Sequence, residues 1–169
     1  MHSQLATQSE ISPLPTWRSQ VDVRVDPDKL LETLTSVDAC EAWSPVGFDV
    51  DDLACGRLRT GTKVDVSGAI VGRRVRFTVE IVRADRRRLV LRANGPVAML
   101  AAYTVEPAAG GSRVDAAISV DRGARGSRLA AHAISMMLGA GALHHTLSRI
   151  AREAERRHAP APAVQPGLT

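Results

Sequence analysis

The sequence predicts an α+β domain in which an antiparallel sheet curves around a long C-terminal helix. Three observations carry this reading. Apolar side chains alternate at period 2 in run after run between residues 17 and 120, with only turns between most runs. Two short helical segments interrupt the pattern just after the first run, and residues 125–157 follow a 3.6-residue period instead.

The first strand is read from Trp17 to Val25, where Val21, Val23 and Val25 alternate with Asp22 and Arg24. Asp26 is placed to cap a helix, Pro27 suits its first position, and Leu30, Leu31 and Leu34 fall on one face. Ser36 can cap a second short helix over 37–43 that ends at Trp43, before Pro45. The meander then runs through Val46–Val50, Lys63–Ile70, Val75–Ile81, Leu89–Leu91, 97–106 and 113–121, with Gly72, Asp85-Arg86 and Gly95-Pro96 marking turns. Pro107 to Ser112 reads as a loose turn. Strands joined without crossover helices should pair antiparallel and leave one face wet. The arginines at 74, 76, 83 and 86–88 fall on that wet face or in turns.

Within 125–157 the residues Leu129, Ala133, Met136, Ala140, Leu143, Leu147, Ala151 and Ala154 form one stripe, expected to face the sheet. Opposite it, Arg149, Arg152, Glu153 and Arg156 are charged, but Ala131, Ile134, Leu138 and Ala142 are apolar. The outer face of 129–143 therefore needs a cover, and a homodimer contact, the N-terminal arm or the rim of a ligand entrance would each supply one.

Residues 1–16 read as a flexible arm, 17–157 as the folded domain, and 158–169 (HAPAPAVQPGLT) as a disordered Pro/Ala-rich tail. At 169 residues the chain is long enough for one domain with a core. Aromatic residues make up 3%, which argues against a base-stacking nucleic-acid surface and makes any cavity aliphatic. The net charge of +4 and pI near 9.8 come from arginine, since only Lys29 and Lys63 are lysines; a solvated basic surface and a GC-rich bacterial genome explain this. Cys40 and Cys55 lack metal-type spacing and are too few for a disulfide scaffold. With no signal-like start and no apolar run long enough to span a membrane, a cytoplasmic protein is expected.

The segments VDVRVDPDKLLETLTSVDACEAWSP (21–45), GRRVRFTVEIVRADRRRLVLR (72–92) and VAMLAAYTVEPAAGGSRVDAAISV (97–120), with the closing helix, occur in a distinctive order. In that order the chain resembles the SRPBCC (START-like) superfamily, and within it the polyketide cyclase/dehydrase and lipid-transport group. The resemblance implies the helix-grip fold: a six- to seven-stranded curved antiparallel sheet, two short helices after the first strand, and a cavity between sheet and terminal helix. The activity it implies is binding of a polyketide or related secondary metabolite and promotion of its cyclisation or dehydration without a cofactor. Carriage of a lipid or hydrophobic metabolite is the non-catalytic alternative.

Placed on that fold, the alternation makes Val64, Val66, Val75, Phe77, Val79, Ile81, Met99, Tyr103, Ala116, Ile118, Met136, Ala140 and Leu147 the expected lining, with Trp43 at the mouth. Tyr103 is a lone hydroxyl among aliphatics and His144 lies at the edge of the helical stripe, so these two are the candidate catalytic residues. No metal site is expected, because His145 points away from His144 and His132 sits at the other edge. Aromatase/cyclases that fold aromatic polyketides carry an arginine on the inward face of the 72–92 hairpin. Val75, Phe77 and Ile81 stand at the matching positions here, which removes the obvious stabiliser of an enolate.

Overall fold

The computed structural model describes residues 16–43, 49–51, 56–70, 72–121 and 128–159, with the backbone alone for 43, 49–51, 69, 70 and 73. The expected arm (apart from Thr16) and the tail beyond 159 lie outside the described residues, as do Val46, Phe48, Cys55 and the side chains of Trp43, Val50 and Ile70.

Strand β1 (Thr16–Val23) leads into α1 (Pro27–Thr35) and α2 (Val37–Trp43). Then come β2 (Asp49–Asp51), β3 (Lys63–Ile70), β4 (Arg73–Ala84), β5 (Arg88–Asn94), β6 (Ala98–Ala108) and β7 (Gly111–Asp121). Two helices close the chain, α3 (Arg128–Gly139) and α4 (Ala142–Arg157). The strands form one antiparallel sheet in the order β1-β7-β6-β5-β4-β3-β2, so the chain's first strand seals the edge left by its last. This is the helix-grip arrangement.

The register carries the pleat across the sheet in rows. Ser19 faces Ala116, which faces Tyr103, which faces Leu89. One step along lie Trp17, Ile118, Ala101, Leu91 and Ile81, and beyond them Val120, Met99, Ala93, Val79 and Val64. These apolar rows share the face turned to the helices, as alternation requires. A bulge between Ile81 and Arg83 lets β4 bend without breaking its pairing with β5. The expected loose turn at 107–112 is instead a tight hairpin. Ala108 pairs with Gly111, and Gly110 takes φ 79°, a left-handed value open to glycine.

Asp26 occupies the N-cap of α1 but its side chain makes no capping hydrogen bond; Pro27 does sit in the first turn. Asp85 serves its turn through its carboxylate, which accepts the backbone N–H groups of Arg87 and Arg88 at 3.0 and 2.9 Å.

The largest departure from expectation lies in 125–157. The single helix is two, separated at Ala140-Gly141, where Gly141 adopts φ 91°. The break changes the phase of the apolar stripe. In α4 the expected residues Leu143, Leu147, Ala151 and Ala154 are buried. In α3 the buried set is Ala131, Ile134 and Ser135, with Leu138 packed beside them, while Leu129 is 73% and Met136 63% exposed. Met136 and Ala140, expected to line the interior, face solvent, and the exposed apolar face of α3 is Leu129, Met136 and Met137 rather than Ile134 and Leu138. Glu153, expected on the charged side of α4, is also buried.

Candidate functional site

The helices gather over one half of the sheet. α4 lies along β1 and touches β7, α1 reaches β5, β6 and β7, and α3 rests on β7. Beneath them the inward residues are sealed: Val105, Val114, Leu89 and Leu147 have no exposed surface, and Tyr103 is 5% exposed. Elsewhere on this face some inward residues are only half-buried, beside the buried Val66, Phe77, Ile81 and Ala93. Val64, Val75, Val79, Leu91, Met99 and Ile118 all turn to the helix side of the sheet, yet each keeps accessible surface. Val66, Phe77 and Ala93 form a separate small cluster there.

The candidate residues therefore divide by place. Val66, Phe77, Ile81, Tyr103, Ala116 and Leu147 are buried, and Val64, Val75, Val79, Met99 and Ile118 are half-buried on the same face. Trp43 ends α2, and Met136 and Ala140 stand outside.

Tyr103 and His144 are not brought together. Tyr103 is at the centre of the sheet, on β6, where burial pushes its hydroxyl up to about 12 and keeps it neutral. His144 is exposed on α4, and its Nδ1 shares a 3.3 Å hydrogen bond with Ser19 Oγ on the edge strand β1. Ser19 belongs to the row of Tyr103 but lies two strands away, about 10 Å at the usual interstrand spacing. Ser19 was not identifiable from sequence, since nothing in a strand's alternation says which serine a distant helix will meet.

Cys40 behaves as a small apolar residue of the core. It packs against the main core, and its proximity to Tyr103 is felt electrostatically. Burial pushes its thiol up to about 12, with the Arg157 charge pulling weakly the other way. The thiol donates to the Leu34 carbonyl at 3.7 Å. It is a neutral, poorly nucleophilic group.

Charge is confined to the border of this region. Glu153 accepts from Arg156 Nη2 at 2.6 Å and from Arg157 Nε at 2.7 Å, and these hydrogen bonds hold its carboxyl below the usual range. Arg149 Nη2 donates to the Ala42 carbonyl at 2.7 Å, tying α4 to the end of α2. Among the described residues no cluster of His, Cys, Asp or Glu could hold a metal ion. Among them, too, no helix is long and apolar enough to cross a membrane.

Among the described residues the inward face of the sheet is apolar or neutral and carries no charge, a surface that can hold an apolar guest. The sequence matches the family model described as polyketide cyclase / dehydrase and lipid transport over residues 15–155. The chain belongs to that family. Its fold is also that of solved bacterial proteins. One from Thermus thermophilus has a TM-score of 0.65 at 14% identity, covering 86% of this chain and 100% of the other. One from Chromobacterium violaceum has a TM-score of 0.63 at 14% identity, covering 85% and 99%. DynU16, described as a putative protein in the dynemicin biosynthetic locus, has a TM-score of 0.59 at 20% identity; it covers 85% of this chain, which spans 48% of it. At these identities the likeness is one of fold. Comparison with curated proteins finds no match.

Proposed function

We propose that this family member binds a largely apolar small molecule, a polyketide or related metabolite, between the inner face of the sheet and its helices. The supporting observation is a set of half-buried aliphatic side chains from two adjacent rows of the sheet. Val64, Val79, Met99 and Ile118 point to the core side, where a chain that had closed its interior would bury them fully. A guest lying along them would take the place of the missing packing. Carriage or sequestration fits this geometry directly.

A second reading is promotion of ring closure or dehydration, in which Tyr103, neutral and sealed beneath the helices, would donate to a carbonyl only where a guest displaces that cover; confinement of a flexible chain would contribute most of the rate effect. The family's description, polyketide cyclase / dehydrase and lipid transport, makes a polyketide or lipid the first class to test.

The test is fluorescence titration with Nile red, an uncharged environment-sensitive dye, followed by native mass spectrometry of the protein as purified. Saturable binding that is lost in Val79→Trp, with the far-UV circular dichroism unchanged, supports the site. A dye signal that Val79→Trp leaves intact would place binding elsewhere. Tyr103→Phe separates the two readings: binding kept with turnover lost indicates catalysis, and binding and turnover both kept assigns the tyrosine to the core.

A further inference from the structure

We propose that the interior site selects uncharged ligands and rejects molecules of the same shape that end in a carboxylate or an ammonium group. This rests on the binding reading above and adds the chemical class of the guest.

The inner face offers no counter-charge. Among the described residues, every inward sheet side chain is apolar or a neutral hydroxyl. Of the sheet hydroxyls Ser112 is committed to backbone and Ser19 to His144 at 3.3 Å, and on the facing helices Thr146 and Thr33 are committed to backbone. Ser112 Oγ donates to the Val25 carbonyl at 2.7 Å, Thr146 Oγ1 to Ala142 at 2.9 Å, and Thr33 Oγ1 to Lys29 at 3.1 Å. At the border Arg157 is engaged with Glu153, Arg149 with the Ala42 carbonyl of α2, and His144 with Ser19 Oγ. Among the described inward residues of the sheet, a carboxylate drawn inside would lose water and find no cation, and an ammonium would find no anion. Tyr103 and Cys40 report the same environment, since burial holds both in their neutral forms.

The experiment displaces Nile red from the full chain near neutral pH with four molecules sharing one ten-carbon tail: decan-1-ol, methyl decanoate, sodium decanoate and decylamine. Decan-1-ol and methyl decanoate should displace the dye, with decanoate and decylamine weaker by about tenfold or more. Ile118→Lys puts a cation at a half-buried inner position and should narrow the gap for decanoate while leaving decylamine weak. If decanoate or decylamine competes within about threefold of decan-1-ol, charge selection is overturned while the binding site stands. If Nile red does not bind at all, the binding reading fails and takes this one with it. The wild-type comparison decides the matter even if Ile118→Lys does not fold.

Discussion

Truncating two neighbouring α3 residues, Ile134→Ala and Met136→Ala, should give unequal losses of stability. Ile134 is 8% exposed and packs with Val97, Val120 and Ala131, whereas Met136 is 63% exposed. Removing a buried isoleucine's outer carbons costs about 2–5 kcal/mol, and the small size of this cluster places Ile134→Ala near the lower end, about 2–3 kcal/mol. Met136→Ala removes little buried area and adds a strong helix former, so its effect should stay within about 0.5 kcal/mol. Urea unfolding followed by helical circular dichroism reads the difference as a midpoint shift of about 1 M, and thermal melts as a drop of about 4–8 °C, for Ile134→Ala alone. Gly141→Ala supplies the matching test of the break, since a left-handed residue with a Cβ costs about 1–2 kcal/mol. Equal losses at 134 and 136, or a larger loss at 136, would refute the phase change. They would restore one continuous stripe, with Met136 and Ala140 facing the interior.

Gly111→Ala should be among the most damaging surface-hairpin changes, by about 2 kcal/mol or more in the same assay, because a Cβ there would lie 2.1 Å from the Val23 carbonyl oxygen. In a Cys55→Ser background, Cys40 should resist Ellman's reagent in the folded protein at mildly alkaline pH and react fully in urea, since its thiol is pushed up to about 12; fast native labelling would contradict its burial. Glu153 is held below its ordinary value of 4.5 by Arg156 and Arg157, so its contribution to stability is present above that value and is lost as pH falls through the lower folded value. Glu153→Gln should therefore weaken the protein near neutral pH and flatten its loss of stability in acid, as read from melts across that range.

The sheet was legible because its alternation is strong and its turns carry their own chemistry. Val75, Phe77 and Val79 could be assigned to one face from period alone, and the register then decided their neighbours. Asp85 announced its turn for a physical reason that the structure shows, a carboxylate taking two backbone N–H groups. The closing helix was harder. A 3.6-residue period counts residues along a continuous helix, and one left-handed glycine resets the count without disturbing composition on either side. Both faces of 129–143 are apolar, so the sequence offered α3 two possible stripes and nothing to choose between them. The candidate site was half legible for a similar reason. Period placed Tyr103 inside, on a strand whose facing is forced, but His144 sits near a helical boundary where a small rotation decides between interior and rim. Its meeting with Ser19 depends on how α4 lies against β1, a tertiary fact with no local signal.

The uneven cover of the sheet bears on what the family fold does in this chain. Stability can be concentrated where α1 and α4 press on β1, β6 and β7, because Leu30, Leu34, Leu147 and Ile150 are wholly buried there. That half holds the register and the position of Tyr103. The β3–β4 half contributes less buried area, with Val64, Val75 and Val79 half-open, and so gives up packing that a closed core would have kept. On the proposed binding reading, that surface is already apolar before a guest arrives, so ordering costs on binding would be small. Association then depends on the apolar area the guest removes from water and on the charge it brings, and the inward residues set both terms.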